Sequence, residues 1–340
     1  MVDNFFDKYP VSEETKKLAV LLSQKAPSVD QEILDKYPIS DKAKEIAFLR
    51  AQEILTYGKT PVKNPVCVLV GGQSGAGKSG VISYTKGMFP DGNVIILEDD
   101  PLRQYYPNGE QLSVEYPKEY IQVTNQLTNP LTGKLLKYIA EQGYNLIFHQ
   151  TFKNDRIAND GIPMLRENGY SIVVSALGVD QANSRLSMAS RCLGEIEHTG
   201  YCRYVTVSDH DNIYKGMPGT LECIEKKGCY DVLQVFRRGP TPVQPIKVFT
   251  EINYDNPENL AVIASSTNIS TDEDMAGFDN VKEALFAARE EDRDVFKSTY
   301  KEKMSEAFES PYLTPEIYEQ LISLQVLVEN NGQDYATNPE

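Results

Sequence analysis

The chain has 340 residues, 41% apolar and 24% charged, with a net charge of −15. Apolar content of that order supports a sizeable core, and the length exceeds the usual single domain. The acidic balance works against nucleic acid as a ligand, because gripping a phosphate backbone needs a basic face to release counterions. No run approaches the roughly 20 apolar residues of a membrane span, and "MVDNFFDKYP" lacks the basic start and apolar stretch of a secretion signal. Cys67, Cys192, Cys202, Cys223 and Cys229 form no C-x-x-C pair, so neither a disulfide framework nor a zinc knuckle is expected, and a cytoplasmic location is.

Residues 1–62 read as a helical module. "DKYPVSEETKKLAVLL" and "DKYPISDKAKEIAFL" repeat one theme, with Ser12 and Ser40 placed to cap two helices. Two copies fall short of a solenoid.

Residues 63–254 alternate apolar runs with helix-length segments. The runs are "CVLVG" (67–71), "VIIL" (94–97), "NLIFH" (145–149), "SIVVSAL" (171–177) and "DVLQVF" (231–236). Continuous apolar strands separated by helices predict a parallel sheet covered on both faces. The fold class is therefore α/β, a P-loop NTPase or kinase-like sheet with helical extensions at both ends. Residues 255–340 are predicted to be helical and acidic, closing on the frayed stretch "ENNGQDYATNPE".

Between the first strand and its helix, "VCVLVGGQSGAGKSG" carries the phosphate-binding pattern Gly72-x-x-x-x-Gly77-Lys78-Ser79. Gly72, Gly75 and Gly77 allow a loop whose N–H groups, with those of Gln73, Ser74 and Ala76, converge on a phosphate. The following helix start adds partial positive charge. Lys78 is placed to reach the β/γ-phosphates of ATP and Ser79 to hold Mg²⁺. The second strand ends in Glu98-Asp99-Asp100, where an acid can orient or deprotonate an acceptor hydroxyl. No N-K-x-D guanine motif is present, which argues against a GTP switch.

With these motifs in place, the chain resembles the zeta-toxin family of bacterial toxin–antitoxin systems. Its members are P-loop kinases that phosphorylate a hydroxyl of UDP-N-acetylsugars. The likeness spans about residues 63–240 and rests on "GGQSGAGKS", "NVIILEDDPLRQYYPN", "EQGYNLIFHQT" and "NGYSIVVSALGVDQANSRLSMASR". It implies Lys78 and Ser79 as phosphate and Mg²⁺ residues and Asp100, aligned through Pro107-Asn108, as the base. It also implies Arg191 and Arg203 as the arginines on the transferring phosphate, and an acceptor pocket including Asp100, Arg103, His149 and Thr151. Planar guanidinium donors suit that charge once water is excluded.

Two departures stand out. The family's Glu-Gly-Thr is His149-Gln150-Thr151 here, and an acid that the family carries on the preceding helix falls near Gly133. The machinery of transfer looks retained and the acceptor pocket altered. Relatives in the wider family phosphorylate nucleotide cofactors such as NAD, so the acceptor is read only as a nucleotide-type small molecule. A nucleoside or antibiotic kinase, or a non-catalytic ATP-dependent binding switch, are the alternatives. The family's antitoxins are small helical proteins that lay a helix across the nucleotide site. An antitoxin partner is thus implied, and the module at 1–62 is a restraint in cis, a packing extension or a delivery segment. "SDHDNIY" places His210 at a helix start, and the Tyr-Pro pairs at 105–107 and 116–117 are expected to shape the loop over the acceptor site.

Overall fold

The computed structural model describes residues 31–241, 244–271 and 277–330, together with Ser12 and Lys17. The first of the two capped helices and the terminal "NGQDYATNPE" lie outside the described residues. The second is present. After the short α1 (Gln31–Lys36), α2 (Asp41–Thr56) starts where the Ser40 side chain accepts a hydrogen bond from the Ala43 N–H, satisfying one otherwise unpaired helix donor.

The core is one six-stranded sheet in the order β2-β3-β1-β4-β5-β6. Its strands are β1 (Val66–Gly71), β2 (Ile95–Leu97), β3 (Leu146–Gln150), β4 (Ser171–Leu177), β5 (Val232–Arg237) and β6 (Ile246–Ile252). The first five are mutually parallel and match the five apolar runs. All six residues of β1 and all seven of β4 are buried, as a strand covered on both faces requires. Alternate residues feed two core layers. Cys67, Leu69, Ile172, Val174, Leu233 and Val235 face one, and Val68, Val70, Val173 and Val232 face the other.

The first layer is closed by α6 (Tyr120–Gln142) together with α7 (Ile162–Glu167) and α9 (Val207–Lys227). The second is closed by α3 (Lys78–Lys86) and α10 (Pro257–Ser266). Between β2 and α6 lie two short helices, α4 (Asp99–Leu102) and α5 (Gly109–Glu115). Asp231 ties the first layer to the sheet from a fully buried position. It accepts two bonds from Arg166 at 2.6 and 3.0 Å and one from the Ile172 N–H at 2.6 Å.

Two expectations need correction. A sixth strand, β6, pairs antiparallel with β5. It lacks a continuous apolar run, since four of its seven residues are only partly buried. Second, Cys192 and Cys202 are joined as a disulfide, with Cα atoms 5.1 Å apart. The chain reverses at Gly200 after α8 (Gln181–Thr199), in a left-handed conformation, and so brings together two cysteines whose spacing resembles no motif.

The acidic C-terminal segment is helical, as expected, and packs on the core. In α11 (Val281–Glu309) the Asn280 side chain accepts from the Glu283 N–H. Val281, Ala284, Leu285 and Ala288 join the main core, while Phe296, Tyr300 and Met304 pack with α8 and α12 (Pro315–Asn330). Among the described residues, no helix is long and apolar enough to cross a membrane.

Candidate active site

The chain leaves β1 for β2 on one side of the sheet and passes from β3 to β4 on the other. Such a switch point leaves a crevice at the carboxyl ends of the strands, where ligands of open α/β sheets bind. A cleft of about 1280 Å³ opens there. Ser74–Ser79, Glu98–Asp100, His149, Thr151, Arg191 and Arg203 all line it.

The loop at 72–79 is built tightly. Gly75 (φ 72°) and Gly77 (φ 92°) occupy the left-handed region, where a side chain is costly. A Cβ on Gly75 would lie 2.1 Å from the Ser184 carbonyl oxygen of α8. Lys78 is half-buried, and its ammonium donates to the carbonyls of Gly72 (2.7 Å) and Gln73 (2.9 Å). Burial, then the cations of Arg191 and Arg203, lower its pKa to about 7 against the pull of Asp100. An ammonium so placed has too little compensating negative charge around it. Gln73, fully buried, donates to the Val179 carbonyl at 2.8 Å and ties the loop to the end of β4.

Opposite the loop, Asp100 on α4 pairs with Arg203 at 2.8 Å and lies 3.4 Å from the Arg103 Nε. Burial by itself would raise the Asp100 carboxyl, but Arg203, Arg103 and further cations outweigh it and hold the group below its ordinary range. It is therefore an ionised acceptor. Glu98 goes the other way, raised by burial and by Asp100. Asp99, also raised chiefly by burial, accepts from Thr132 of α6 at 2.5 Å.

Arg203 sits on the segment between α8 and α9, steadied by its N–H bond to Glu195 (2.9 Å). Arg191 projects from α8 and donates to the Arg203 carbonyl at 3.4 Å. The cleft thus collects the lysine, the acid and both arginines. Arg103 also lines it, but its guanidinium is directed into α6, donating to the Ile121 carbonyl, Thr124 and Asn125. In this arrangement Arg103 fixes Asp100.

His149, the penultimate residue of β3, has Nδ1 3.7 Å from Glu98, while its Nε2 is buried without a hydrogen-bond partner. Burial and the nearby Lys78 push it down to about 3, so it is neutral at pH 7. Asn125, Asn129 and Thr132 reach the cleft from α6, whereas Gly133 does not line it. The Tyr-Pro segments do not line it either. Tyr106 is buried and donates to the Tyr37 carbonyl at 2.6 Å, and Tyr116 packs edge-on against Tyr37, 5.9 Å between rings. They join α1 to the core. None of residues 31–62 lines the cleft.

His210 falls in the first turns of α9, as expected. It bonds Ser184 at 2.8 Å and Asp211 at 2.9 Å. Ser184, His210 and Asp211 are hydrogen-bonded in the series of a hydrolase triad, but Ser184 and His210 are fully buried and so inaccessible to a substrate. The network fastens α8 to α9 beneath the phosphate loop.

Arg238 was not singled out from the sequence. It follows β5 and lines the cleft against the loop, where it donates to the carbonyls of Gly75 and Ala76. The signal was "FRRGP", two basic residues at the carboxyl end of a strand in a sheet of this class.

The family model described as Zeta toxin matches residues 51–246. A relative named Toxin zeta, from Streptococcus pyogenes, is 28% identical over 194 residues, 55% of this chain and 65% of the relative. The match to that protein therefore spans less than two thirds of its length. Toxin PezT of Streptococcus pneumoniae serotype 4 (strain ATCC BAA-334 / TIGR4) is 25% identical over 211 residues, 62% of this chain and 79% of the relative. A solved structure from the PezAT chromosomal toxin-antitoxin system of Streptococcus pneumoniae superposes with a TM-score of 0.61. At 19% identity it covers 80% of this chain and 99% of that one, which supports the shared fold.

Proposed function

Because this chain belongs to the zeta toxin family, whose model matches more than half of it, we propose that it is a phosphotransferase. It moves the γ-phosphoryl group of ATP to a hydroxyl of a nucleotide-type acceptor, a UDP-N-acetylsugar being the first candidate. The observation that carries this reading is the meeting of Lys78, Asp100, Arg191 and Arg203 in one cleft, with Asp100 and Arg203 2.8 Å apart.

Each residue has a physical task. Apart from the Ala76 N–H, which bonds the Gln73 carbonyl, the N–H groups of the loop and of the α3 start bind the donor phosphates and supply fixed partial charges. Lys78 exchanges its loop carbonyls for phosphate oxygens, which restores the charge compensation that it lacks in the free protein. Asp100, ionised and on the acceptor side, takes the proton of the attacking hydroxyl. Arg191 and Arg203 stabilise the charge that spreads over the group in transfer. Ser79, exposed to the cleft, and the nearby Glu98 are oxygen donors suited to Mg²⁺, which when bound offsets phosphate charge. His149, a neutral group, contributes a hydrogen bond to the acceptor together with Thr151.

Since the matched relatives are named as toxins, a cognate antitoxin that covers the cleft is part of the reading. The test is incubation of the protein with ATP, Mg²⁺ and a panel of hydroxyl acceptors, UDP-sugars and NAD included. One acceptor should gain the mass of a single phosphate with wild-type protein and none with Asp100→Ala. ATP binding without phosphorylation of any acceptor would favour a nucleotide-dependent binding switch instead.

A further inference from the structure

The family match ends at residue 246, yet α11 beyond it reaches the phosphate loop through a short chain of side chains. Asp292 of α11 is buried at 5% exposure, and its Oδ2 accepts from the Asp180 N–H and from Asn183 Nδ2, each at 2.9 Å. Held this way, the Asn183 amide turns its Oδ1 to Arg238, which donates to it at 2.9 Å. The same guanidinium donates to Ser187 at 3.0 Å, to the Ala76 carbonyl at 3.1 Å and to the Gly75 carbonyl. Arg238 thus joins two residues of α8 to two successive peptide groups of the loop.

We infer that Arg238 is a positioning residue for the phosphate loop, anchored through Asn183 to Asp292, so that α11 forms a working part of the nucleotide site. A trans peptide is planar, with its carbonyl and N–H on opposite sides. Drawing the Gly75 and Ala76 carbonyls toward the guanidinium turns the Ala76 and Gly77 N–H groups the other way. That of Ala76 closes a turn on the Gln73 carbonyl at 3.2 Å, and on this proposal that of Gly77 is set toward a bound phosphate. A flexible glycine-rich loop otherwise samples many peptide orientations, and anion binding then has to select among them. The planar fork of arginine suits this task, since it spans several acceptors in fixed geometry, whereas a lysine ammonium does not.

The inference rests on the reading of the loop as an ATP site, so the test uses two readouts. The first is amide hydrogen exchange of the 72–80 segment in the protein without nucleotide. The second is ATP affinity by titration calorimetry. Arg238→Gln and Asp292→Ala should each speed exchange of that segment and weaken ATP about tenfold, the scale of one or two charge-assisted hydrogen bonds. Exchange in β1 and β4 should not change. Asp292→Asn keeps an oxygen for both N–H donors and should restore both readouts to within about twofold, again on the scale of a retained hydrogen bond. If either of the first two variants does not fold, Arg238→Lys and Asn183→Ser take its place with the same expectation. Unchanged loop exchange in folded variants overturns the positioning role, whatever happens to affinity. Failure of the wild-type protein to bind ATP overturns the functional reading instead, while loop exchange still decides the role of Arg238.

Discussion

If the loop is the ATP site proposed above, Lys78 should give it a defined response to pH. In the free protein its pKa lies near 7, lowered first by burial. Bound phosphate places negative charge beside the ammonium and returns it toward its ordinary value of about 10.4. The bound state therefore holds the proton more tightly than the free state. On the proposed reading, ATP affinity should be at its full value below pH 7 and fall as pH rises through and beyond it, by a limiting factor of about ten per pH unit. Between pH 7 and 8.5 the dissociation constant should rise about 15-fold by this linkage, equivalent to about 1.6 kcal/mol. Calorimetry at pH 8.5 in two buffers of different ionisation enthalpy should show uptake of close to one proton per ATP bound. Lys78→Gln should bind weakly at both pH values with no proton uptake. An affinity that is flat from pH 7 to 8.5, with no uptake in the wild-type protein, would refute the account of a desolvated, under-compensated lysine.

Three further outcomes follow from the geometry. Asp100→Asn keeps the shape of the side chain but removes the proton acceptor, so transfer should drop by about 10² to 10⁴ in single-turnover assays while ATP affinity shifts only a few-fold. Since cations hold the Asp100 carboxyl below its ordinary range, the wild-type rate should show no acid limb from this group above about pH 4. Gly75→Ala must fit a Cβ 2.1 Å from the Ser184 carbonyl at φ 72°. Melting temperature and ATP affinity should both fall, whereas Gly58→Ala, at φ 67° with no atom within 4 Å of the new Cβ, should lose about 1 kcal/mol of stability and no affinity. Asp231→Ala leaves the buried Ile172 N–H without its acceptor and Arg166 with only the Tyr170 carbonyl. Denaturant unfolding should show a loss of about 3 kcal/mol, toward the low end for a broken buried pair because the Arg166 side chain is 25% exposed.

Local chemistry wrote most of the donor half of the cleft into the sequence. A phosphate loop needs glycine where φ is positive and a lysine at its end, and those demands concern neighbours along the chain. The five parallel strands were legible for the same reason, since burial on both faces leaves continuous apolar runs. β6 was not, because partly buried polar residues are interspersed with the apolar ones along it and interrupt the run. The Ser40 cap was legible from its place before an apolar helical pattern, while the role of Tyr106 and Tyr116 was not. Tyrosine suits a loop over a ligand as well as a packed joint, and only the position of Tyr37 selects between them.

By itself the sequence determined the α/β class, the phosphate loop and the acid at the end of the second strand. The tertiary structure alone decided what surrounds them. It set Arg203 against Asp100 across about a hundred residues of chain, closed Ser184, His210 and Asp211 into a buried brace, and laid α11 under the loop through Asp292, Asn183 and Arg238. The physical reason is separation. Backbone conformation and burial follow from adjacent residues, but a hydrogen bond between the end of β5 and the carbonyls of residues 75 and 76 exists only once the sheet has brought the carboxyl ends of its strands together.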